Sequence, residues 1–268
     1  VQQSNAPESL MKVTILGCGP SQGVPVIGNR WGDCDPSNPK NRRSRPSIVV
    51  EDNGVQLLVD MPPDIRDQLL ANNINQIDAI LFTHLHYDHV AGIGDLRTLS
   101  FLVKRHLDVF ATDDVLAGLL SNVGYLFQAE TSDAADMYKP VADARTIAYG
   151  EHFNAQGVDV LPFRQEHGIC ETAGFRFGNF AYSTDVVELD DAAFAALEGI
   201  EVWIVDCLRE QPHQTHAHLE RTLSWIDRVK PKRAIFTHMN IQTDYEKILA
   251  QCPEGVEPGY DGMILEID

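Results

Sequence analysis

The segment 81–89, with the sequence LFTHLHYDH, constrains this chain more than any other stretch. Within it lie four potential metal ligands, His84, His86, Asp88 and His89. They follow an apolar run, 77–82, of the kind that forms a buried strand. Because side chains two apart in an extended segment point to the same side, His84 and His86 could hold one ion together. The segment therefore predicts a metal site where a strand meets a loop.

The two remaining groups of this segment, Asp88 and His89, could reach a second ion. Imidazole suits zinc, copper, iron and nickel, and a carboxylate extends the choice to harder ions such as manganese. The alternative is a polar loop that happens to be rich in histidine. Three histidines and an aspartate at this spacing have no use in packing, so we favour the metal site.

The length and hydropathy of the chain fit one large globular domain. It has 268 residues, of which 44% are hydrophobic, and no apolar run approaches the ~20 residues of a membrane span. Residues 1–10 lack the basic and then apolar profile of a secretory signal. We interpret them as a short disordered extension or a remnant of expression, and residues 11–268 as a single domain in a cytoplasmic protein.

The net charge restricts the binding partners, and the cysteine content indicates the redox state of the thiols. The formal net charge is −18, which disfavours binding to long nucleic acid unless basic residues cluster locally. The five cysteines are scattered and form no CxxC motif. Reduced thiols in a cytosolic protein are the simplest interpretation.

Hydrophobic patterns and turn signals predict an alternation of strands and helices. Predicted strands cover 12–16, 48–51, 55–60, 77–82, 107–111, 158–163, 175–177, 180–183, 202–205, 234–236 and 263–267. Predicted helices cover 63–71, a segment that ends near 103, 112–120, 191–197, 218–229 and 244–250. In the segment 122–139, which has no clear pattern, we expect Tyr125, Phe127 and Tyr138 to fill a core.

Two five-residue segments are near copies of each other. ILFTH at 80–84 and AIFTH at 234–238 are each an apolar strand that ends in Phe-Thr-His. Five residues do not establish a repeat. They suggest two related halves, each with a histidine at the end of a central strand, packed sheet to sheet.

Two loop segments precede the second predicted strand. The glycines of 17–25 are misspaced for a dinucleotide-binding loop and no helix pattern follows, so we interpret this segment as a tight loop beside the site. The densest basic cluster contains Arg42, Arg43 and Arg45. It is either a solvated loop or a phosphate-binding group, because the guanidinium fork suits phosphate.

The motif His-x-His-x-Asp-His at 84–89 resembles the signature of the metallo-β-lactamase superfamily. The resemblance implies an α/β fold, a four-layer αβ/βα sandwich of two mixed sheets flanked by helices. It is closest to the phosphoribosyl 1,2-cyclic phosphate phosphodiesterase and tRNase Z-like branch, through Gly17-Cys18-Gly19, Gly23-Val24-Pro25 and the arginine-rich segment. Some members of that group carry a structural zinc on several cysteines of the early loop. Since Cys34 stands alone there, we do not expect that zinc.

The same resemblance implies how seven side chains share two divalent ions, zinc or manganese. His84, His86 and His167 would hold one ion, Asp88, His89 and His238 the other, with Asp185 as the bridge. Each of the three later residues could instead be a turn or cap residue. A pair of ions about 3.5–4 Å apart activates a water and clamps the oxygens of an in-line displacement, which suits phosphodiester cleavage. Asp88 would then accept a hydrogen bond from the nucleophile.

A leaving alkoxide also needs a proton, and the segment 213–218 contains three histidines. By resemblance to the phosphodiesterase branch, a non-ligand histidine in this segment assists catalysis. Its separation from His238 makes His216 our choice, and histidine is a suitable general acid near neutral pH. His213 is the reserve candidate and, with the three arginines, a candidate for substrate phosphate. His218 is expected at the surface.

Four functions follow as hypotheses. The first is a two-metal phosphodiesterase for a small cyclic or nucleotide-like substrate. The second is a tRNA 3′-processing endonuclease, against which the negative charge argues. The third is a thioester or lactam hydrolase, and the fourth is a metal-binding protein without catalysis. We further expect a homodimer, because relatives pair.

Overall fold

The computed structural model describes residues 10–128 and 139–268, and its centre consists of two seven-stranded sheets. The predicted extension 1–10, apart from its last residue, and the predicted core residue Tyr138 lie outside the described residues. The strands of the first sheet are β1 (Met11–Gly17), β2 (Ser47–Asp52), β3 (Val55–Val59), β4 (Ala79–Leu81), β5 (Leu107–Ala111), β6 (Ala142–Thr146) and β14 (Ile264–Ile267). Their spatial order is β14-β1-β2-β3-β4-β5-β6, antiparallel from β14 to β3 and parallel from β3 to β6.

The second sheet repeats this mixed plan. Its strands are β7 (Phe153–Ala155), β8 (Val158–Glu166), β9 (Glu171–Phe177), β10 (Phe180–Ser183), β11 (Val202–Asp206), β12 (Arg233–Thr237) and β13 (Val256–Pro258). Their order is β13-β12-β11-β10-β9-β8-β7, parallel from β13 to β10 and antiparallel from β10 to β7. The strands β4 and β12, which lead to His84 and His238, each lie in the parallel part of their sheet. The two similar segments therefore belong to different sheets, and the relationship between the two halves stays a prediction.

Helices flank the sheets. The α-helices are α1 (Ile65–Ala71), α2 (Tyr87–Val90), α3 (Leu96–Val103), α4 (Asp113–Val123), α5 (Asp191–Ala196), α6 (Leu219–Val229) and α7 (Tyr245–Leu249). Short 3₁₀ helices cover Pro39–Asn41, Ile93–Asp95 and Gly124–Leu126. The helix α6 begins with an exposed Glu220 and buries Trp225 and Ile226, as its amphipathic sequence predicts.

Alternation along β3 separates two cores. Leu57 and Val59 belong to the core between the sheets, whereas Leu58 belongs to a second core under α1, α3 and α4. Three consecutive buried apolar residues, Leu57, Leu58 and Val59, fit only where both faces of the sheet are covered. The result is the predicted four-layer αβ/βα sandwich of two mixed sheets flanked by helices.

The structure corrects several predictions about elements. Tyr125, expected in a core, lies in a 3₁₀ helix and is 41% exposed. The strand β6 was not predicted because, after Ala142, its residues are exposed and, apart from Ala144, polar, so no strong apolar alternation marks it. The strand β13 was missed because it has three residues and ends in Pro258, an unusual strand residue.

Among the described residues, no helix combines the length and the apolar character that a membrane span requires.

Candidate metal centre and active site

The seven predicted ligands meet at one edge of the sandwich. Each follows a strand or lies in the loop and short helix after β4. His84 and His86 follow β4, while Asp88 and His89 lie on α2. The other three, His167, Asp185 and His238, follow β8, β10 and β12, respectively. Because strand ends of both sheets converge here, residues distant in sequence become neighbours.

The donor atoms form two groups that share one carboxylate. In each group one donor atom per residue lies within 4.8 Å of the others. The first group contains His84, His86, His167 and Asp185, and the second contains Asp88, His89, Asp185 and His238. These are the two sets implied by the resemblance. The structure thus brings the seven residues together, and their role as ligands stays a prediction.

Asp185 lies between the groups with one oxygen toward each. Its Oδ2 is 3.7 Å from His84 Nε2 and 3.5 Å from His167 Nε2. Its Oδ1 is 3.1 Å from His89 Nε2 and 3.2 Å from His238 Nε2. This placement is what a carboxylate that bridges two cations requires.

In three of the candidate ligands the protein holds the outer ring nitrogen, which leaves the inner nitrogen for a metal ion. His89 Nδ1 is 2.6 Å from Asp60 Oδ2, and His167 Nδ1 is 2.6 Å from the carbonyl oxygen of Thr215. His84 Nδ1 lies 3.0 Å from Thr83 Oγ1. Such contacts fix the tautomer and orientation of histidines that bind metals.

Buried nitrogens without a hydrogen-bond partner test whether metal ions fit. Among the described residues, the Nε2 atoms of His84, His89 and His238 are buried and have none. An unpaired buried polar group is costly, and a cation would compensate it. The mixed nitrogen and carboxylate donors suit zinc and also manganese.

The pKa values of the site residues also indicate a site that fits a cation. Burial and the neighbouring His89 lower the pKa of His84 well below its ordinary value, so its ring is neutral and can bind a cation. Burial would raise the pKa of Asp185, but His238 and His89 outweigh it and hold this pKa well below its ordinary value. Burial would likewise lower the pKa of His89, but Asp185, Asp60 and Asp88 raise it well above its ordinary value. These three carboxylates favour a protonated, positively charged His89. A divalent ion bound beside this ring could supply that positive charge instead.

Backbone strain marks the same place. Asp60, Asp185 and His238 have positive φ angles of 64°, 52° and 59°, in the left-handed region. Such conformations cost about 1–3 kcal/mol each and concentrate at functional sites. They aim side chains at strand ends into the gap between the two sheets.

His216, predicted as the general acid, lies beside this centre. Its Nε2 is 3.9 Å from Asp185 Oδ2, and its Nδ1 is 2.8 Å from Asp206 Oδ2. Burial would lower the pKa of His216, but the carboxylate of Asp206 raises it to about 9. A histidine that is protonated at neutral pH can donate a proton to a leaving group.

Sequence reasoning missed two orienting carboxylates, Asp60 and Asp206. Each is fully buried, and each contacts a site histidine through its Oδ2. Asp60 also accepts hydrogen bonds from the backbone N–H and the hydroxyl of Thr83. The available signal was a buried strand that ends directly in an aspartate, once in each half of the chain.

The predicted phosphate contacts differ in their placement. Arg43 is 1% exposed and donates to Asn41 Oδ1 and to the carbonyl oxygen of Asn240, so we no longer assign it a phosphate contact. Arg45 pairs with Asp64 at 3.0 Å, and Arg42 lies over the ring of Trp31. These three line a cavity of about 730 Å³, adjacent to the centre rather than in it. Contacts of Arg42 and Arg45 with substrate stay predictions.

His213 and His216 lie in a different groove, of about 350 Å³, which opens on the metal centre at His238. His218, the third histidine of this segment, precedes α6 and does not line the groove. The predicted tight loop 17–25 contributes its residues 20–22 to the groove wall. The groove is therefore lined by both the predicted general acid, His216, and a candidate ligand, His238.

The fold and this centre define a class. A family model, the beta-lactamase superfamily domain, matches residues 56–239, more than half of the chain. The chain belongs to this superfamily of hydrolases, as the sequence motif predicted.

Comparisons with solved structures identify the branch of the superfamily to which the chain belongs. A crystal structure described as a new diphosphatase from the PhnP family is 33% identical to the chain, with a TM-score of 0.86, and covers 96% of this chain and 97% of that one. The chain therefore belongs to the PhnP family, within the PhnP and tRNase Z-like branch. The zinc-bound PqqB structure from Methylobacterium extorquens, 23% identical with a TM-score of 0.73, covers 96% of this chain and all of that one and shares the fold.

The curated relatives are longer proteins, and the chain matches only part of their length. An octanoyltransferase of Porphyromonas gingivalis is 28% identical over 261 residues, which are 96% of this chain and 52% of that protein. A ribonuclease Z of Methanopyrus kandleri is 31% identical over 134 residues, 49% of this chain and 43% of that protein. The chain spans about half the length of these relatives.

Proposed function

We propose that this chain is a phosphodiesterase with two divalent metal ions that cleaves a small cyclic or nucleotide-like phosphodiester. The observation that carries the proposal is His216, which is oriented by Asp206 and lies 3.9 Å from the carboxylate shared by both donor groups. A thioester hydrolase has less need for a separate acid, because a thiolate leaves more readily than an alkoxide.

The ions, when bound, would activate water and stabilise charge on the phosphoryl oxygens. The chain's own residues position the reacting groups and transfer the proton. Asp185 holds the two donor groups together, and Asp88, 3.4 Å from His89 Nε2, can accept a hydrogen bond from the nucleophile. His216 Nε2 donates the proton that the leaving oxygen needs, while Asp206 keeps that ring in place.

The dependence of rate on the leaving group tests the role of His216. In protein loaded with zinc or manganese, His216→Gln is expected to lower kcat by about 10²–10⁴-fold for a 2′,3′-cyclic nucleotide, whose leaving group is a poor one. For bis(p-nitrophenyl) phosphate, whose leaving group needs little protonation, we expect a loss of less than about tenfold. The matched control is His218→Gln, in the same segment but outside the groove.

Two results would contradict the proposal. One is no turnover of any phosphodiester by the metal-loaded protein. The other is an equal loss for both substrates in His216→Gln, because a group that only supports the structure would not distinguish leaving groups. A nucleotide with a diphosphate bridge belongs in the same assay, since the 33% identical relative is described as a diphosphatase.

A tRNA 3′-processing nuclease is the second candidate, and the ribonuclease Z relatives favour it. The charge of −18 argues against it, because a polyanion must be held against that field. Binding of tRNA that persists at physiological salt, together with cleavage of a tRNA precursor, would promote this function over the first.

A further inference from the structure

Three side chains on the groove beside His216 share an unusual property: their hydrogen-bond acceptors are already occupied. They are His213, Asn240 and Gln242, which we call the donor wall. Asn240 Oδ1 accepts from the backbone N–H of Gln242 at 2.8 Å. Gln242 Oε1 accepts from Arg209 Nη1 at 3.4 Å. Because backbone N–H and guanidinium groups only donate, both carboxamides are held with their oxygens turned to the protein.

The hydrogen-bond acceptor of His213 is occupied as well. Its Nδ1 accepts from the backbone N–H of Thr215 at 3.3 Å and lies 3.2 Å from the hydroxyl of Thr215. A ring nitrogen that accepts carries no proton, so in the neutral ring the proton lies on Nε2. Within the described residues, Nε2 of His213, Nδ2 of Asn240 and Nε2 of Gln242 have no protein partner. The donor wall therefore offers N–H groups.

The rest of the groove is uncharged. Apart from its histidines, the described residues that line it include no acidic group and no lysine or arginine. Its remaining lining is small, polar or aliphatic, with Pro20, Val26, Leu208 and Ile241 as its apolar part. Apart from protonated His216, a second negative charge on the substrate would find no cation on the groove wall, and a positively charged group would face mainly donors.

Within the donor wall, the backbone of Asn240 is held by hydrogen bonds to buried groups. The carbonyl oxygen of Asn240 accepts from Arg43 at 3.4 Å and from the thiol of Cys34 at 3.8 Å, and its backbone N–H donates to the carbonyl oxygen of Leu208 at 3.0 Å. Arg43 and Cys34 are both buried. Donors fixed in advance discriminate between ligands better than mobile ones, because less conformational freedom is lost on binding.

From this geometry we infer that the donor wall determines specificity: it selects substrates whose group next to the scissile phosphorus is uncharged and rich in oxygen acceptors, and it rejects alkyl groups of the same size. This inference rests on the proposed function and adds to it the recognition chemistry of one subsite. An alkyl group would displace water from the groove and leave the three N–H donors without hydrogen-bond partners. Such unpaired donors are the strongest source of discrimination against a ligand.

Two phosphate monoesters with the same three-carbon skeleton provide the test. Glycerol 3-phosphate carries two hydroxyl oxygens, and propyl phosphate carries none. Both are measured as competitive inhibitors of bis(p-nitrophenyl) phosphate hydrolysis by the metal-loaded protein, and their dissociation constants by calorimetry. We expect glycerol 3-phosphate to bind at least about fivefold more tightly.

Variants connect this selectivity to the donor wall. Gln242→Met keeps length and removes the N–H donor, and we expect it to reduce the affinity ratio to about twofold or less. Asn240→Asp keeps the acceptor for the backbone N–H of Gln242 and replaces the donor, and it should reduce the ratio as well. The matched control Gln76→Met changes an exposed glutamine that donates to the nearby Asp78 and does not line the groove, and it should keep the full ratio.

The inference fails if the two esters bind wild-type protein equally, or if both wall variants keep the wild-type ratio. These outcomes are distinct from failure of the proposed function, which is the absence of diester hydrolysis. Calorimetry measures the affinity ratio in either case.

Discussion

Single carboxylates decide the properties of the histidines in this centre. Asp185 faces four imidazoles within 3.7 Å, and the buried Asp60 and Asp206 each fix one histidine ring from behind. A histidine in such a position is oriented by its partner, so the partner controls both geometry and pKa. The residues that determine the chemistry thus include two that would not touch a substrate.

Asp206→Asn tests this at the level of one residue. Burial would lower the pKa of His216, and the carboxylate of Asp206 raises it. A general acid works only while protonated, so activity falls as pH rises through that pKa. Removal of the carboxylate lowers the pKa, and the basic limb of the kcat profile for a 2′,3′-cyclic nucleotide should shift to lower pH.

The control for this prediction is Asp143→Asn. Asp143 lies 3.3 Å from the ring of His106, but both side chains are 48% exposed and distant from the groove. Its pH profile should match that of the wild type. A basic limb that stays in place in Asp206→Asn would show that His216 does not carry the proton.

At the scale of elements, the short helix α2 is held by a close backbone approach. Met61 donates its N–H to the carbonyl oxygen of His89 at 2.7 Å, and Gly92 donates to the carbonyl oxygen of Met61 at 2.8 Å. A Cβ on Gly92 would overlap the carbonyl oxygen of Pro62 and lie 2.6 Å from Ile65 Cγ2. The glycine therefore permits the contact that positions the candidate ligands of α2, Asp88 and His89.

A pair of glycine substitutions separates this contact from general flexibility. Gly92→Ala is expected to lower the free energy of unfolding by about 1–3 kcal/mol, through overpacking, and to lower the metal content. Gly94→Ala, where a Cβ would meet nothing within 4 Å, should change stability by no more than about 0.5 kcal/mol. Urea titration and elemental analysis of the two variants are the measurements, and equal stability of both would contradict the account.

At the scale of the molecule, the centre joins the two halves of the sandwich. His84 to His89 come from the loop and helix after β4 of the first sheet, and His167, Asp185 and His238 come from the second. An ion held by both halves stabilises the folded state, because the unfolded chain has no such site. The predicted homodimer has no bearing on this and stays a prediction.

Removal of metal tests this joining role. If the ions are present at about 1,000 times their dissociation constants, each contributes about 4 kcal/mol. For a chain of this size, chelation should then lower the Tm by roughly 10 °C or more, and zinc or manganese should restore it. The variant Asp185→Asn, without the shared carboxylate, should show a smaller difference. An unchanged Tm after verified removal would contradict the role.

Much of the fold and part of the centre could be predicted from local pattern. The apolar run 77–82, the amphipathic pattern of α6 and the two Phe-Thr-His segments each depend on residues near in sequence. By contrast, β6 and β13 carry no local apolar signal, and the burial of Arg43 depends on partners about 200 residues away. Local pattern does not contain such distant partners.

The sequence by itself determined the superfamily and the seven candidate ligands, because a dense ligand motif at a strand end has few other uses. Only the tertiary structure decided that Asp185 has one oxygen for each donor group, that Asp60 and Asp206 orient the histidines, and that His213, Asn240 and Gln242 present donors to one groove. The reason is that these properties are distances and directions between strand ends of two sheets, and they exist only once the sheets have packed.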